Sequence, residues 1–414
     1  MNKKEIPQEA IDAVARHINE RDNKPTNIPI ITIDGNTETP HYFEILPFDQ
    51  IDNTDINFFA IDGSYNYQQF YNGLSVGIYT AGYICYEHGK QLRLNDLDDP
   101  IILGRSYYPN HILITSEQDN FAIFDELLTL EPVKNLIDFL GVEPKKIWGF
   151  GENARETISS NLSKLLSFCQ EILEWSLIYE IASLEIIKPG DFILRDGTLR
   201  SNNIKQEYLV KLAEHLKSKE LIIIAITKNS PIKLELSSSF KKIDAYLQDE
   251  LKPKYPFTLS KDPKRQKLCC WFETSDETLV AAYSGNMYAR KDITGGRGFG
   301  LFFAARLDYV EKLQNYDWIV VDLNIFDAIP KIKDKVLDRN YESIKMIFKE
   351  LTRLTQEHYI LGYPYPLVEA HNFVTLKKEF KEEIIRRVKF TLYKDQRMDN
   401  VEIENLFLDI HERF

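Results

Sequence analysis

The sequence predicts an α/β protein whose mixed sheet is flanked by helices, with a β-rich insertion and helical ends. Three observations carry this. Runs rich in aromatic and β-branched residues alternate between Ile56 and Tyr107. A long helical pattern fills Glu156 to Leu184, and strand, helix and strand follow one another from Phe192 to Thr227. At 414 residues the chain suits one large core with insertions and end pieces.

In order along the chain, Ile11, Val14 and Ile18 recur at helical spacing and predict a short amphipathic helix. The polar, proline-punctuated stretch after it completes an N-terminal arm, residues 1–44. The first part of the core, 45–232, opens with Ile56, Phe58 and Ala60 alternating into a strand that stops at Asp62-Gly63-Ser64. Leu74 to Tyr86 and Ile101 to Tyr107 read as two further strands. Leu166, Cys169, Leu173, Leu177 and Leu184 form the apolar stripe of the long helix, ended by Pro189-Gly190. Phe192 to Arg195 predicts a strand, Glu207 to Leu216 a helix, and Leu221 to Thr227 a buried strand.

Residues 233–290 are less regular and read as the β-rich insertion, with Leu268 to Phe272 and Leu279 to Tyr283 as a hairpin. The remainder, 291–414, returns to the core through strands at Phe299 to Leu307 and Trp318 to Leu323. Val336 to Thr355 is then an amphipathic helix, and Leu367 to Lys389 one or two more.

Composition narrows the function. With 51 Lys+Arg against 63 Asp+Glu the net charge is −12, which excludes a protein that coats nucleic acid by bulk charge. Cys85, Cys169, Cys269 and Cys270 show no metal-finger spacing and suit a reducing compartment. The charged stretch from Met1 to Arg21 lacks an apolar signal core and no run is long enough to span a bilayer, so a cytoplasmic protein without a membrane association is expected. There is no G-x-x-x-x-G-K-[ST], H-E-x-x-H or G-x-S-x-G phrase. The glycine cluster Gly295 to Gly300 reads as a turn in which Arg297 could touch a phosphate.

One phrase occurs twice: a strand ending in Asp, then Gly and a hydroxyl residue, as Asp62-Gly63-Ser64 and Asp196-Gly197-Thr198. Neighbouring strand ends of this kind would place two carboxylates together, although Asp-Gly is also a common turn dipeptide. Glu180 continues the apolar stripe after Leu173 and Leu177, so it either binds a metal or pairs with an interior cation such as Arg195. Glu171 and Glu174 lie off that stripe and read as surface. Carboxylates gathered without cysteine partners favour Mg²⁺ or Mn²⁺, and such sites commonly handle phosphates.

Five phrases then stand in order: Ala60-Ile61-Asp62-Gly63-Ser64, Leu177-Ile178-Tyr179-Glu180, Leu194-Arg195-Asp196-Gly197-Thr198-Leu199, Ala225-Ile226-Thr227-Lys228, and Gly362 to Leu367 followed by Glu369-Ala370-His371. Together they resemble the NurA nucleases, which have an RNase H-like core. The resemblance implies metal ligation by Asp62, Glu180, Asp196 and His371, a site tyrosine at Tyr363 and a phosphate-neutralising Lys228. It implies a DNA nuclease using Mn²⁺ or Mg²⁺, two ions in all, with 5′-3′ exonuclease and single-strand endonuclease activity. It also implies a homodimer working with a HerA-type hexameric ATPase in DNA repair or antiviral defence. A non-catalytic adaptor of that ATPase, or an RNA nuclease with the same site, remains open. DNA contacts are expected from Lys252, Lys254, Lys264, Arg265, Lys267 and Arg297, or from the helix bearing Arg386, Arg387 and Lys389.

Overall fold

A computed structural model of the chain describes residues 8–22, 43–45, 56–70, 75–87, 90–91, 105–107, 111–115, 126–143, 161–199, 201, 204–227, 229–236, 240, 270–274, 301–307, 318–324, 341–356, 362–376, 378–395 and 399–407. Its elements begin with α1 (Gln8–Asp22), β1 (Phe43–Ile45), β2 (Phe58–Gln69), β3 (Ser75–Glu87), β4 (Lys90–Gln91), β5 (Arg105–Tyr107) and β6 (His111–Thr115). Next come α2 (Glu131–Leu140), α3 (Leu162–Ile181), β7 (Phe192–Asp196), α4 (Gln206–Ser218), β8 (Ile222–Thr227) and α5 (Pro231–Glu235). The last are β9 (Cys270–Glu273), β10 (Leu301–Arg306), β11 (Ile319–Asn324), α6 (Tyr341–Gln356), α7 (Tyr365–Val374), α8 (Lys378–Asp395) and α9 (Asn400–Leu406).

All the strands join one sheet in the order β1-β9-β10-β11-β8-β7-β2-β3-β4, with β5 and β6 also on β3. The pairs β2–β7 and β7–β8 are parallel and the rest antiparallel. The portion β6-β3-β2-β7-β8, an antiparallel meander continued by two parallel strands with α4 as the crossover, is the mixed arrangement expected of an RNase H-like core. The described strand of the expected insertion, β9, pairs with β1 and β10 and so extends this same sheet. Its hairpin mate, Leu279 to Tyr283, lies outside the described residues.

Helices cover both faces, and strand alternation decides which side chain meets which helix. Phe59, Ile61, Ile193, Ile223 and Ala225 pack with α2, α3 and α4 in one core. Phe58, Ala60, Phe192, Leu194, Ile224 and Ile226 pack with α6 and α7 in the other. Helix α3 is started by Asn161, whose side chain accepts from the Lys164 amide at 3.1 Å.

One expectation needs correction. β2 does not stop at Asp62-Gly63-Ser64. Its parallel partner β7 reaches only Ile61↔Arg195, but β3 continues to pair with it as far as Gln69↔Ser75. The expected N-terminal helix is found as α1, with Ile11 and Val14 45% and 61% exposed. Among the described residues no helix is long and apolar enough to cross a membrane.

The entry to the two central strands is tied by one carboxylate. Asp191, 2% exposed, accepts from the Asn57 amide at 3.0 Å, the Asn57 side chain at 3.1 Å and the Lys188 amide at 2.8 Å. Asp191→Ala would leave those donors buried and unmatched. It should lower unfolding free energy by about 3 kcal/mol in a urea titration, whereas an unchanged midpoint would mean that water replaces the carboxylate at no cost.

Candidate metal centre

The parallel pairing of β2 and β7 sets Ile61 level with Arg195, so the next residues, Asp62 and Asp196, leave adjacent strands together. Both fall on the face covered by α7, since Phe58 and Ala60 of β2 and Phe192 and Leu194 of β7 point there. The odd residue Arg195 points the other way, to α3.

The segment before α7 delivers the third group. Gly362 takes the left-handed conformation, φ 66°, and Tyr365 and Pro366 occupy the first two helical positions, where a missing amide costs nothing. Tyr365 packs edge-on against Tyr86, ring centroids 5.2 Å apart. At the far end the Leu376 amide bonds to the Ser64 hydroxyl at 3.3 Å. Between these anchors His371 places Nδ1 2.8 Å from Asp62 Oδ2. One ligand atom each from Asp62, Asp196 and His371 lies within 4.8 Å of the others. Two carboxylates and an imidazole, with no thiolate, fit a divalent ion of the Mg²⁺ or Mn²⁺ class.

The local electrostatics favour a cation. Asp62 is 5% exposed and its other oxygen accepts from the Gly63 amide at 2.8 Å. Burial first, and then the charges of Glu174 and Asp196, push its pKa from 3.8 up to about 8. A divalent ion between these carboxylates would offset the repulsion that makes ionisation costly.

Tyr363 stands behind the pair. It is fully buried, and its hydroxyl donates to the Ile226 carbonyl of β8 at 3.0 Å while facing Asp196. Burial, followed by the Asp196 charge, drives its pKa far above the usual phenol range. It is therefore a neutral group beside Asp196 and does not titrate.

Glu180 does not join the cluster. Leu166 of α3 lies beside Gly77, which pairs with Tyr67, whereas Glu174 lies beside Gly63, so the helix runs back toward the start of β2. Six further residues carry Glu180 about 9 Å past Glu174, where it is half-buried in the last turn. The inward acid is Glu174, which the sequence reading put on the surface. It is 2% exposed, bonded to Gln170 Nε2 at 2.7 Å and to Arg195 at 2.7 and 3.0 Å. Arg195, offered as a partner of Glu180, is thus the partner of Glu174. A usable signal was its separation of four residues from Gln170, which places both side chains over Gly63.

The other predicted residues divide in two. Lys228, Lys252, Lys254, Lys264, Arg265, Lys267 and Arg297 lie outside the described residues. On α8, Arg386 and Arg387 share Glu383, and Lys389 pairs with Glu404 at 2.7 Å, so each of these three cations already has a carboxylate partner.

With this geometry in place the comparisons are informative. The NurA domain family matches residues 56–259, a span that includes Asp62, Glu174, Glu180, Asp196 and Lys228. Residues 56–259 are a NurA domain, the domain of a family of nucleases, which places the chain among the hydrolases. One solved structure, described as the crystal structure of NurA with manganese, is similar at 14% identity and a TM-score of 0.36, covering 94% of this chain and 99% of its own. No curated protein matches.

A raised carboxylate has a definite pH signature. Folded Asp62 keeps its proton where the unfolded chain has lost it, so the metal-free protein should lose stability as pH rises from about 4 to about 8. Asp62→Asn should flatten that decline in a melting series, and saturating Mn²⁺ should abolish the difference at the alkaline end. A wild-type decline no steeper than the variant's would show that ionising Asp62 costs nothing.

Proposed function

We propose that the chain is a divalent-metal-dependent deoxyribonuclease with 5′-3′ exonuclease and single-strand endonuclease activity. The observation that carries this reading is the convergence of Asp62 and Asp196, side by side on adjacent parallel strands, with His371 of α7 in a NurA-domain chain. Bound there, a pair of Mn²⁺ or Mg²⁺ ions would supply the activation of water and the stabilisation of the departing 3′-oxygen.

The chain's own residues do the rest. Asp62 and Asp196 form the carboxylate pair, and the neutral Tyr363 hydroxyl, anchored on the Ile226 carbonyl, closes the buried side of Asp196. His371, whose side chain is 53% exposed, stands at the mouth of the site where a phosphate would enter. Lys228 follows β8 directly and is assigned the neutralisation of the scissile phosphate. Basic residues Lys252 to Lys267, with Arg297, are assigned the contact with DNA.

The protein would work as a homodimer with a HerA-type hexameric ATPase, in DNA end processing or antiviral defence. A chain with net charge −12 binds a polyanion poorly by itself, and a ring-shaped motor would supply the strand.

Release of nucleotides from labelled DNA with Mn²⁺ tests the reading. Asp62→Ala and Asp196→Ala should each lower the rate by about a thousandfold or more. Unchanged rates would place the chemistry elsewhere. Competing RNA in the same assay identifies an RNA nuclease if it is cut first. A chain that cuts neither polymer yet still binds the ATPase is an adaptor.

The basic insertion makes a separate prediction. Reversing Lys264 and Arg265 to Glu should weaken DNA binding and reduce the slope of log affinity against log salt by about 2. An unreduced slope would remove these residues from the interface.

A further inference from the structure

The face of the sheet opposite the metal centre holds a buried ion pair that the reaction itself does not call for. Arg195 sends Nε and Nη2 to the same Glu174 oxygen, at 3.0 and 2.7 Å, and lays its guanidinium over the Trp175 ring, 4.9 Å from the centroid. Its remaining nitrogen, Nη1, donates to the Thr198 carbonyl. Glu174 is in turn held by Gln170 and lies against Gly63, where an added Cβ would come within 2.6 Å of its Oε1. One guanidinium thus ties α3 to the turn that follows β7.

That turn carries Asp196, and Arg195 is one of several restraints on it. Gly197 takes φ 123°, a conformation that side chains rarely adopt, and its amide donates to the Ile226 carbonyl at 3.0 Å. The Leu199 amide donates to Asp322 Oδ2 at 3.0 Å. The Gly197 amide is thus braced by β8, the Leu199 amide by β11, and the Thr198 carbonyl accepts from Arg195. Removing Arg195 would take away a bond that ties this turn to α3.

We propose that Arg195 is a positioning residue for metal binding: it braces the 196–199 turn, and hence the Asp196 carboxylate, against the fixed wall made by Glu174 and Trp175. This rests on the metal-centre reading above and adds to it a residue that touches neither ion nor substrate. The planar fork is what the role requires, since it meets a carboxylate, an indole face and a carbonyl at the same time. Lysine could keep the charge but not all three contacts.

The test is Mn²⁺ titration of the metal-free full-length chain, by calorimetry and by the electron paramagnetic resonance of free Mn²⁺, with melting temperature measured alongside. Arg195→Lys should fold and bind Mn²⁺ about ten- to a hundredfold more weakly, the range expected when a group supporting a metal ligand is lost. Because a lone buried Glu174 could unfold other variants, the pair is also replaced together. Glu174→Leu with Arg195→Met removes both charges and should melt close to the wild type, yet show the same loss of affinity. A purely structural pair predicts the same melting for that double variant but normal affinity.

Wild-type Mn²⁺ affinity in either folded variant overturns the proposal. Affinity is read independently of cleavage, so the nuclease reading can fail separately: a wild-type chain that binds Mn²⁺ and cuts no DNA overturns that reading, while the affinity ratio still decides the role of Arg195.

Discussion

The parallel pairing of β2 with β7 is the constraint on which the site depends. Its register sets Ile61 beside Arg195, and the two-residue period of a strand then determines where each following group points. Asp62 and Asp196 emerge together on the α7 side, while Arg195 is directed to the α3 side. A slip of one residue in either strand would exchange an aspartate for an apolar or glycine position. The Asp191 latch to Asn57 acts at the entry to these strands, so a structural carboxylate at one end steadies the pair that carries Asp62 and Asp196 at the other.

Much of this architecture was legible in the sequence because it obeys simple periods. The strand–helix–strand passage from Phe192 to Thr227 and the long helix before it are found close to their expected bounds. The failures have physical causes. The strand through Asp62 was cut short because Asp-Gly signals a turn, yet β3 supplies a partner that keeps the chain extended to Gln69. Glu174 was misplaced because a stripe selects a face only on a half-exposed helix. In α3 every residue from Ile172 to Ile178 is buried, so periodicity stops discriminating there. Tyr363 and His371 could be placed beside the aspartates only by resemblance, since no local pattern reports a contact between residues 309 positions apart.

The acidic balance of the chain also takes on a more specific meaning. Part of the negative charge is gathered around Asp62, where burial and the neighbouring charges of Glu174 and Asp196 oppose ionisation until a cation arrives. Arg386, Arg387 and Lys389 of α8 already have Glu383 and Glu404 as partners. Protein and metal together, and not the protein alone, therefore make a surface at which a phosphate is welcome.

The contact between His371 and Asp62 has a consequence for biosynthesis. The strand bearing Asp62 leaves the ribosome long before the helix bearing His371, with 309 positions between them. A chain still being translated, or one released early by a premature stop, can assemble much of the central sheet and still lack the imidazole. The three-group cluster becomes complete only once the helix bearing His371 has emerged, so products truncated before it lack the full donor set.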